Sequence, residues 1–227
     1  MVKCVCCGWR GKSFLDYGAP LRKNVKCPVC GSKERQRATF ILLKKILPLK
    51  RKISVLHIAP EDSIRKLFLD YSNINYISID LNPSRAMLKE DLMHLSFKNN
   101  LFDLVICSHV LEHILDDLAA LEEIFRVMKK NSYAIIQVPL FNRRKTLEGV
   151  NYSFEKKINL FGQKDHLRAY GRDFENILKS AGFLVFKINI LDILNKKMIE
   201  EYRLIQNVKG TPLEGRNQES IFILKKE

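Results

Sequence analysis

Beyond residue 52 the chain alternates short apolar runs with amphipathic stretches. Ile53–Ile58 is apolar on both faces and predicts a buried strand. Asp62 or Ser63 then caps a helix whose apolar positions Ile64, Leu67, Phe68 and Tyr71 recur at i, i+3, i+4 and i+7. Tyr76–Ile79 predicts a second strand ending at Asp80, with a short strand near Lys89–Asp91 and another, buried on both faces, over Leu104–Cys107. Asp116 opens a long helix with Leu118, Leu121, Phe125 and Met128 on one stripe, and Tyr133–Val138 follows as a strand ended by Pro139. Asp173 begins a further helix closed by Gly182, and Leu184–Ile190 and Ser220–Leu224 are the last two strands. Upstream, Ser32 is placed to cap a helix running to Leu47, with Glu34 in its first turn and Pro48 just past its end. Such alternation predicts an α/β domain with a mainly parallel sheet and helices on both faces. Ligands of these sheets bind beyond the carboxyl ends of the strands, where the strand order reverses. The positions to watch are those just after Ile58, Ile79, Leu92, Cys107 and Val138.

The first thirty-odd residues follow another pattern. Cys4-Val5-Cys6-Cys7-Gly8 and Cys27-Pro28-Val29-Cys30-Gly31 both read C-x-x-C-G, with 19 residues between Cys7 and Cys27. That is the spacing of a four-cysteine zinc site, and the shared ending selects Cys4 and Cys7 over Cys6. A module of about thirty residues buries too little apolar surface to fold alone. Zinc, worth on the order of 10–16 kcal/mol in small modules, supplies the deficit. With four protein ligands the site is closed, hence structural. Residues 1–36 are accordingly assigned to a zinc-ribbon module and 37–227 to the α/β domain.

Composition narrows the setting. The chain is 46% hydrophobic and 28% charged, which excludes a disordered or collagen-like protein. No apolar run approaches the roughly 18 residues of a membrane-spanning helix, and the first residues lack a signal peptide's apolar stretch. A cytoplasmic location is the expectation, in which clustered cysteines point to metal rather than disulfides. The net charge of +14 is concentrated: residues 1–52 hold fourteen Lys and Arg against two acids. Such a segment can attract phosphate or nucleic acid, although a basic stretch is only the first mark of such a site.

The strand ends carry the candidate chemistry. Ala59-Pro60-Glu61-Asp62 follows the first strand, and Asp80 ends the second about twenty residues downstream, where a carboxylate can accept hydrogen bonds from vicinal ribose hydroxyls. Asp80 can also merely begin a turn with Asn82-Pro83. After the fourth strand comes Ser108-His109-Val110-Leu111-Glu112-His113.

The stretch from Phe102 to Ile114 resembles the fourth-strand signature of class I S-adenosylmethionine-dependent methyltransferases, and Asp91–Phe97 is similar to the segment preceding it in that family. A bacterial subset with a four-cysteine zinc knuckle looks alike over its whole length, including an Ala59-Pro60-Glu61 loop and a motif like Phe161–Asp173. The resemblance implies a Rossmann-like, seven-stranded, mainly parallel sheet. It also implies that Asp80 holds the cofactor's ribose, Leu81 lies against the adenine, Asp91 and Leu92 meet the adenine's edge and face, and Ser108 and His109 line the methionine end. His57, Ala59, Pro60 and Glu61 complete the implied contacts, with Glu61 available for the cofactor's amino group. The family usually has a glycine-rich first loop. This chain has none there, and Pro60 and neighbouring side chains obstruct close backbone approach.

Candidate bases are His109, His113 and His166. Residues 140–172 look too polar for core and are expected to form a lid, with Arg143, Arg144, Gln163, Asp165, Arg168 and Tyr170 on the substrate side. Its arginines suit an anionic acceptor. Three readings follow: a methyltransferase acting on a small molecule or glycan precursor; an RNA methyltransferase gripping phosphates through Arg22, Lys23 and Lys26; and a non-catalytic binding protein that kept the sheet but lost the cofactor loop.

Overall fold

A computed structural model describes residues 1–18, 21–47, 51–205, 216–217 and 220–227; Pro48, expected just past the first helix, lies outside them. The chain opens with two antiparallel ribbons, β1 (Val2–Lys3) with β2 (Arg10–Gly11) and β3 (Leu15–Tyr17) with β4 (Arg22–Lys26). Helix α1 (Glu34–Ile46) follows. Its N-cap is Lys33, not Ser32, and the Lys33 amide donates to Gln36 Oε1 at 2.8 Å. Ser32 is diverted because its hydroxyl faces two sulfurs, Cys4 and Cys30, each at 3.2 Å.

The α/β body then runs β5 (Ile53–Ile58), α2 (Asp62–Leu69), β6 (Ile74–Asp80), β7 (Leu88–Lys89), β8 (Phe102–Ser108), α3 (Asp117–Val127) and β9 (Met128–Gln137). After it come β10 (Leu140–Phe141), β11 (Leu147–Glu148), α4 (Phe154–Phe161), β12 (Arg168–Ala169), α5 (Phe174–Ser180) and β13 (Leu184–Asn189). Last are α6 (Lys196–Tyr202), β14 (Arg216–Asn217) and β15 (Ser220–Lys225). Seven strands form one sheet in the order β13-β15-β9-β8-β5-β6-β7, and β15 runs antiparallel to both neighbours. This is the Rossmann-like architecture the resemblance implies. The order reverses at β5, which pairs in parallel with β6 on one side and β8 on the other.

Successive residues of β5 feed opposite layers, as the strand period requires. Leu56 and Ile58 join the core under α3 and α5, with Leu121, Ile124, Phe174 and Leu178. Val55 joins the core under α1 and α2, with Phe40, Leu43, Ile64 and Phe68. The stripe expected on α3 is corrected: Ala120, Leu121, Ile124 and Val127 are its buried positions, and Leu118 is 39% exposed. The helix ends at Val127, so Met128 enters β9 instead of completing the stripe. Regular pairing of β9 with β8 begins at Tyr133, opposite Leu104.

Residues 140–172 are also corrected. Phe161, His166, Arg168, Ala169 and Tyr170 are buried. Arg168 and Tyr170 belong to the interior because their hydrogen bonds are met inside the protein. Arg168 donates to the carbonyls of Leu111 and Leu115 at 3.1 and 3.0 Å and to Glu148 at 3.1 Å. The Tyr170 hydroxyl donates to Asp117 at 2.6 Å. Asp173 sits at the N-cap of α5, but its carboxylate accepts from the amide and hydroxyl of Thr146 at 2.8 Å each.

Arg37 of α1 fastens the N-terminal ribbons to this body. It is fully buried and donates to the carbonyls of Val25 (2.9 Å), Ser32 (2.8 Å), Tyr202 (2.7 Å) and Arg203 (2.9 Å), over the ring of Phe14. Replacing Arg37 with Met strands these carbonyls. Unfolding in denaturant is expected to show a loss of about 3 kcal/mol or more, from roughly 1–3 kcal/mol per buried group left unpaired.

Candidate active site

At the switch point the carboxyl ends of β5, β6 and β8 open into a cleft of about 160 Å³. Ala59, Asp80, Leu81, Asp91, Leu92 and His113 all line it. A larger cavity of about 600 Å³, beside Arg51 and Asp103, lies at the amino ends of the same strands, away from the expected binding edge. Asp80 does begin a turn: its Oδ1 accepts the Asn82 amide at 2.8 Å. Asp80 lines the cleft, and no hydrogen bond to its Oδ2 is made by the described residues. Asp91 is held the same way, accepting the Met93 amide at 2.9 Å. Leu81 is 61% exposed while Leu92 is buried, so one leucine is an open apolar wall and the other a packed floor.

The first loop obtains its sharp turn without glycine. Ala59 adopts φ +48°, in the left-handed region, while its amide donates to the Ile79 carbonyl at 2.8 Å. The turn that glycine usually makes is therefore made by left-handed backbone at one small residue, with Pro60 and Glu61 still in the loop. Helix α2 starts at Asp62, with Glu61 as N-cap in place of the expected Asp62 or Ser63, and no side-chain cap. That leaves the Glu61 carboxylate for other work. Its Oε1 accepts from Gln36 and Ser108, both at 3.4 Å, and His57 Nε2 stands 3.7 Å from its Oε2. Burial works to raise the Glu61 pKa, but pairing with His57 and the charges of His57 and Arg35 hold it below the ordinary value.

His57, implied as a cofactor contact, is fully buried and bonds Tyr76 through Nδ1 at 3.0 Å, so it lies beneath the site, close to Glu61, and not on the cleft surface. Ser108 is joined to Gln137 at 3.3 Å, and Gln137 also accepts from Thr39 at 2.6 Å. Gln36, Thr39 and Gln137 escaped sequence reasoning. A glutamine ending the apolar run Ala134-Ile135-Ile136 was the available signal.

A second cluster follows β8. His109 sits at φ +56°, and its Nδ1 lies 3.2 Å from Glu112 Oε1. Glu112 and His166 are buried, and His113 is half-buried. Burial, aided by Arg35, lowers the His109 pKa and keeps the imidazole neutral. Burial pushes Glu112 upward, but the His109 bond and the facing histidines outweigh it, and the carboxylate stays ionised. All three candidate bases thus gather around one carboxylate.

The other expected site residues scatter. Gln163, Asp165 and Arg144 are exposed, Arg143 is half-buried, and Pro60 is partly covered. Arg168 and Tyr170 are buried and tied to backbone and Asp117, so they hold the wall of the site and do not offer themselves to a substrate.

In the N-terminal ribbons, the sulfurs of Cys4, Cys7, Cys27 and Cys30 lie within 4.8 Å of one another, with Cys4–Cys30 at 3.5 Å and Cys7–Cys27 at 3.7 Å. A tetrahedron of thiolates at Zn–S lengths of about 2.3 Å has edges of about 3.8 Å, so the donor set fits. Hydrogen bonding from Cys30, then Cys6, pulls the Cys4 pKa strongly down, favouring a thiolate. Cys6 is not one of the four: its sulfur hydrogen-bonds Cys4 from the side, and the residue packs against two apolar clusters.

A family model described as a methyltransferase domain matches residues 32–188. The chain belongs to that methyltransferase family. A curated relative of this methyltransferase, an uncharacterized protein of Methanocaldococcus jannaschii, is 44% identical over 75 residues. The match spans 30% of this chain and 32% of that protein's length. Among solved structures, phosphoethanolamine N-methyltransferase 2 of Haemonchus contortus, in complex with S-adenosyl-L-methionine, superposes with a TM-score of 0.59 at 16% identity, over 86% of this chain and 53% of that one. A SAM-dependent methyltransferase of Archaeoglobus fulgidus gives 0.55 at 19% identity, over 84% and 94%. At such identities the likeness shows the fold alone.

Ala59→Gly tests the strained turn of this methyltransferase. A left-handed alanine costs about 1–2 kcal/mol, and glycine returns part of that as chain entropy. The variant is expected to gain up to about 1 kcal/mol in denaturant unfolding; a loss of stability would show that the turn is not strained.

Proposed function

We propose that this methyltransferase moves a methyl group from S-adenosylmethionine to a small-molecule or glycan-precursor acceptor carrying an anionic group. In this reading Cys4, Cys7, Cys27 and Cys30 hold a structural zinc ion. The observation that carries it is the convergence of Asp80, Leu81, Asp91 and Leu92 on one cleft at the strand-order reversal. When bound, the cofactor supplies a methyl group on a sulfonium sulfur. Asp80 accepts ribose hydroxyls through its remaining oxygen, and Leu81 and Leu92 flank a flat base. Glu61, kept ionised by His57, is the acceptor for an amino group, with Ser108 beside it. His109 or His113 takes a proton from the acceptor, and alignment of donor and acceptor carries most of the rate. Residues 140–172 form the acceptor-side wall and residues 1–36 buttress α1.

Two observations weigh against the rival readings. Part of the basic N-terminal segment is committed within the protein: Arg22 is buried against Glu34 at 2.7 Å and Arg37 is surrounded by carbonyls, while Lys23, paired with Asp16 at 2.7 Å, stays exposed. Arg22 is thus not available to a phosphate, contrary to its expected part in RNA binding. The first loop retains its turn through Ala59, which speaks against a lost cofactor loop. The anionic acceptor is supported by Arg143, whose buried Nε has no hydrogen-bond partner among the described residues.

Calorimetry with S-adenosylhomocysteine tests the reading directly. Binding is expected, and Asp80→Ala should weaken it about 10- to 100-fold, the loss of about 1.5–3 kcal/mol expected for hydrogen bonds to a charged group. No heat at millimolar ligand, or an Asp80→Ala variant that binds like the parent, would refute it. Elemental analysis should find one zinc per chain, and Cys27→Ala should lose the metal together with several kcal/mol of stability. A stably folded, metal-free parent protein would refute that part.

A further inference from the structure

We propose that Glu112, His113 and His166 form a second metal site, beside the cofactor cleft, that takes a first-row divalent cation such as Mn2+ or Fe2+. One ligand atom from each residue lies within 4.8 Å of the other two. Glu112 is 1% exposed, and its Oε2 has no hydrogen-bond partner among the described residues. An ionised carboxylate oxygen buried without a donor is costly, and a cation at that point removes the cost. His166 is 1% exposed and stands edge-on to His113, with ring centroids 4.7 Å apart. His113 Nδ1 faces both the carboxylate and the carbonyl of Asp165 at 3.3 Å, which orients the ring and leaves Nε2 as a ligand atom. Carboxylates commonly orient metal-binding histidines in this way.

The two halves of the site come from distant stretches of chain but are joined through the backbone. The Leu167 amide donates to the Glu112 carbonyl at 2.8 Å, and Arg168 donates to the carbonyls of Leu111 and Leu115. His166 is thereby held against the Glu112–His113 turn before any ion arrives. The donor set of two imidazoles and one carboxylate suits Fe2+, Mn2+ or Zn2+ and leaves coordination positions open. The cysteine cluster offers four soft thiolates and no open position, so the two sites select different ions.

His113 also lines the cleft, so an ion here stands next to the place where a methyl donor binds. The acceptor class that fits is a hydroxyl with a neighbouring carboxylate or second hydroxyl, able to chelate the ion. Its O–H proton passes to the free ring nitrogen of His109, whose Nδ1 is held by Glu112. The oxygen then forms the O–CH3 bond as the S–CH3 bond breaks, and the bonding pair stays on sulfur. This catalytic role rests on the methyltransferase reading above; the binding of the ion does not.

The test uses the full chain with its cysteine cluster filled by one equivalent of zinc, titrated with Mn2+ and followed by electron paramagnetic resonance. One further Mn2+ per chain is expected, with affinity falling at least tenfold in Glu112→Gln and in His113→Ala. Zinc content and circular dichroism should stay unchanged in both variants, which separates lost ligation from lost folding. No Mn2+ uptake by the zinc-filled protein, or uptake unaltered in both variants, overturns the proposal. S-adenosylhomocysteine calorimetry on the same samples keeps the two readings apart. Cofactor binding without Mn2+ uptake sinks only the metal site, and Mn2+ uptake without cofactor binding sinks only the methyltransferase reading.

Discussion

A guanidinium keeps its charge at any ordinary pH, so wherever this fold buries one it must surround it with acceptors. Three arginines among the described residues are buried, and two of them, Arg37 and Arg168, organise the molecule. Arg37 gathers carbonyls from β4, the knuckle after Cys30 and the end of α6, and so makes the N-terminal ribbons continuous with the α/β body. Arg168 gathers carbonyls from the turn that follows β8, together with the Glu148 carboxylate. Neither needs to touch a ligand to matter. One fixes the helix whose Gln36 and Thr39 reach the polar cluster at the strand ends, and the other fixes the turn that carries Glu112 and His113.

The sheet supplies the remaining placement. Because β5 pairs in parallel with both β6 and β8, the chain leaving each of the three strands emerges at the same edge. Ala59, Asp80 and Ser108 are brought within one small region by register alone, before any loop conformation is considered. Two residues there, Ala59 and His109, accept left-handed backbone angles. Strain of this kind persists where surrounding packing over-determines it, and it commonly clusters at functional sites.

The strands and the cysteine pairs were legible in the sequence because their signals are local. Ile53–Ile58 has no polar face to misread, and a repeated C-x-x-C-G admits few other uses. Residues 140–172 were misjudged for the opposite reason. Arg168 and Tyr170 look like surface chemistry until their partners are known, and those partners, Leu111, Leu115 and Asp117, lie more than fifty positions away. The same distance hid the Glu112–His113–His166 grouping, although all three residues stood in stretches singled out from the sequence. Ser32 failed as a cap through a similar long-range competition, since the sulfur of Cys4 claims its hydroxyl. The stripe on α3 slipped because periodicity does not announce where a helix ends.

The charge distribution follows from the same geometry. A chain of net charge +14 nevertheless places Glu61, Asp80, Asp91 and Glu112 at the carboxyl edge of its sheet. Two of these, Glu61 and Glu112, are kept ionised against burial by histidines packed beneath or beside them. An edge so prepared suits cations, and the proposed occupants are both cationic: a sulfonium cofactor over the first and second strands, and a divalent ion after the fourth. Of the basic excess in the first 52 residues, Arg22 and Arg37 are drawn inward, against Glu34 and carbonyls, while Arg10, Lys12, Lys23, Lys44, Lys45 and Lys52 stay exposed. Net charge, taken alone, suggests an anionic partner at the N-terminus. The placement of partners adds a site of the opposite sign at the carboxyl edge of the sheet: a negative rim, kept ionised by neighbouring histidines, in a protein whose basic excess lies in its first 52 residues.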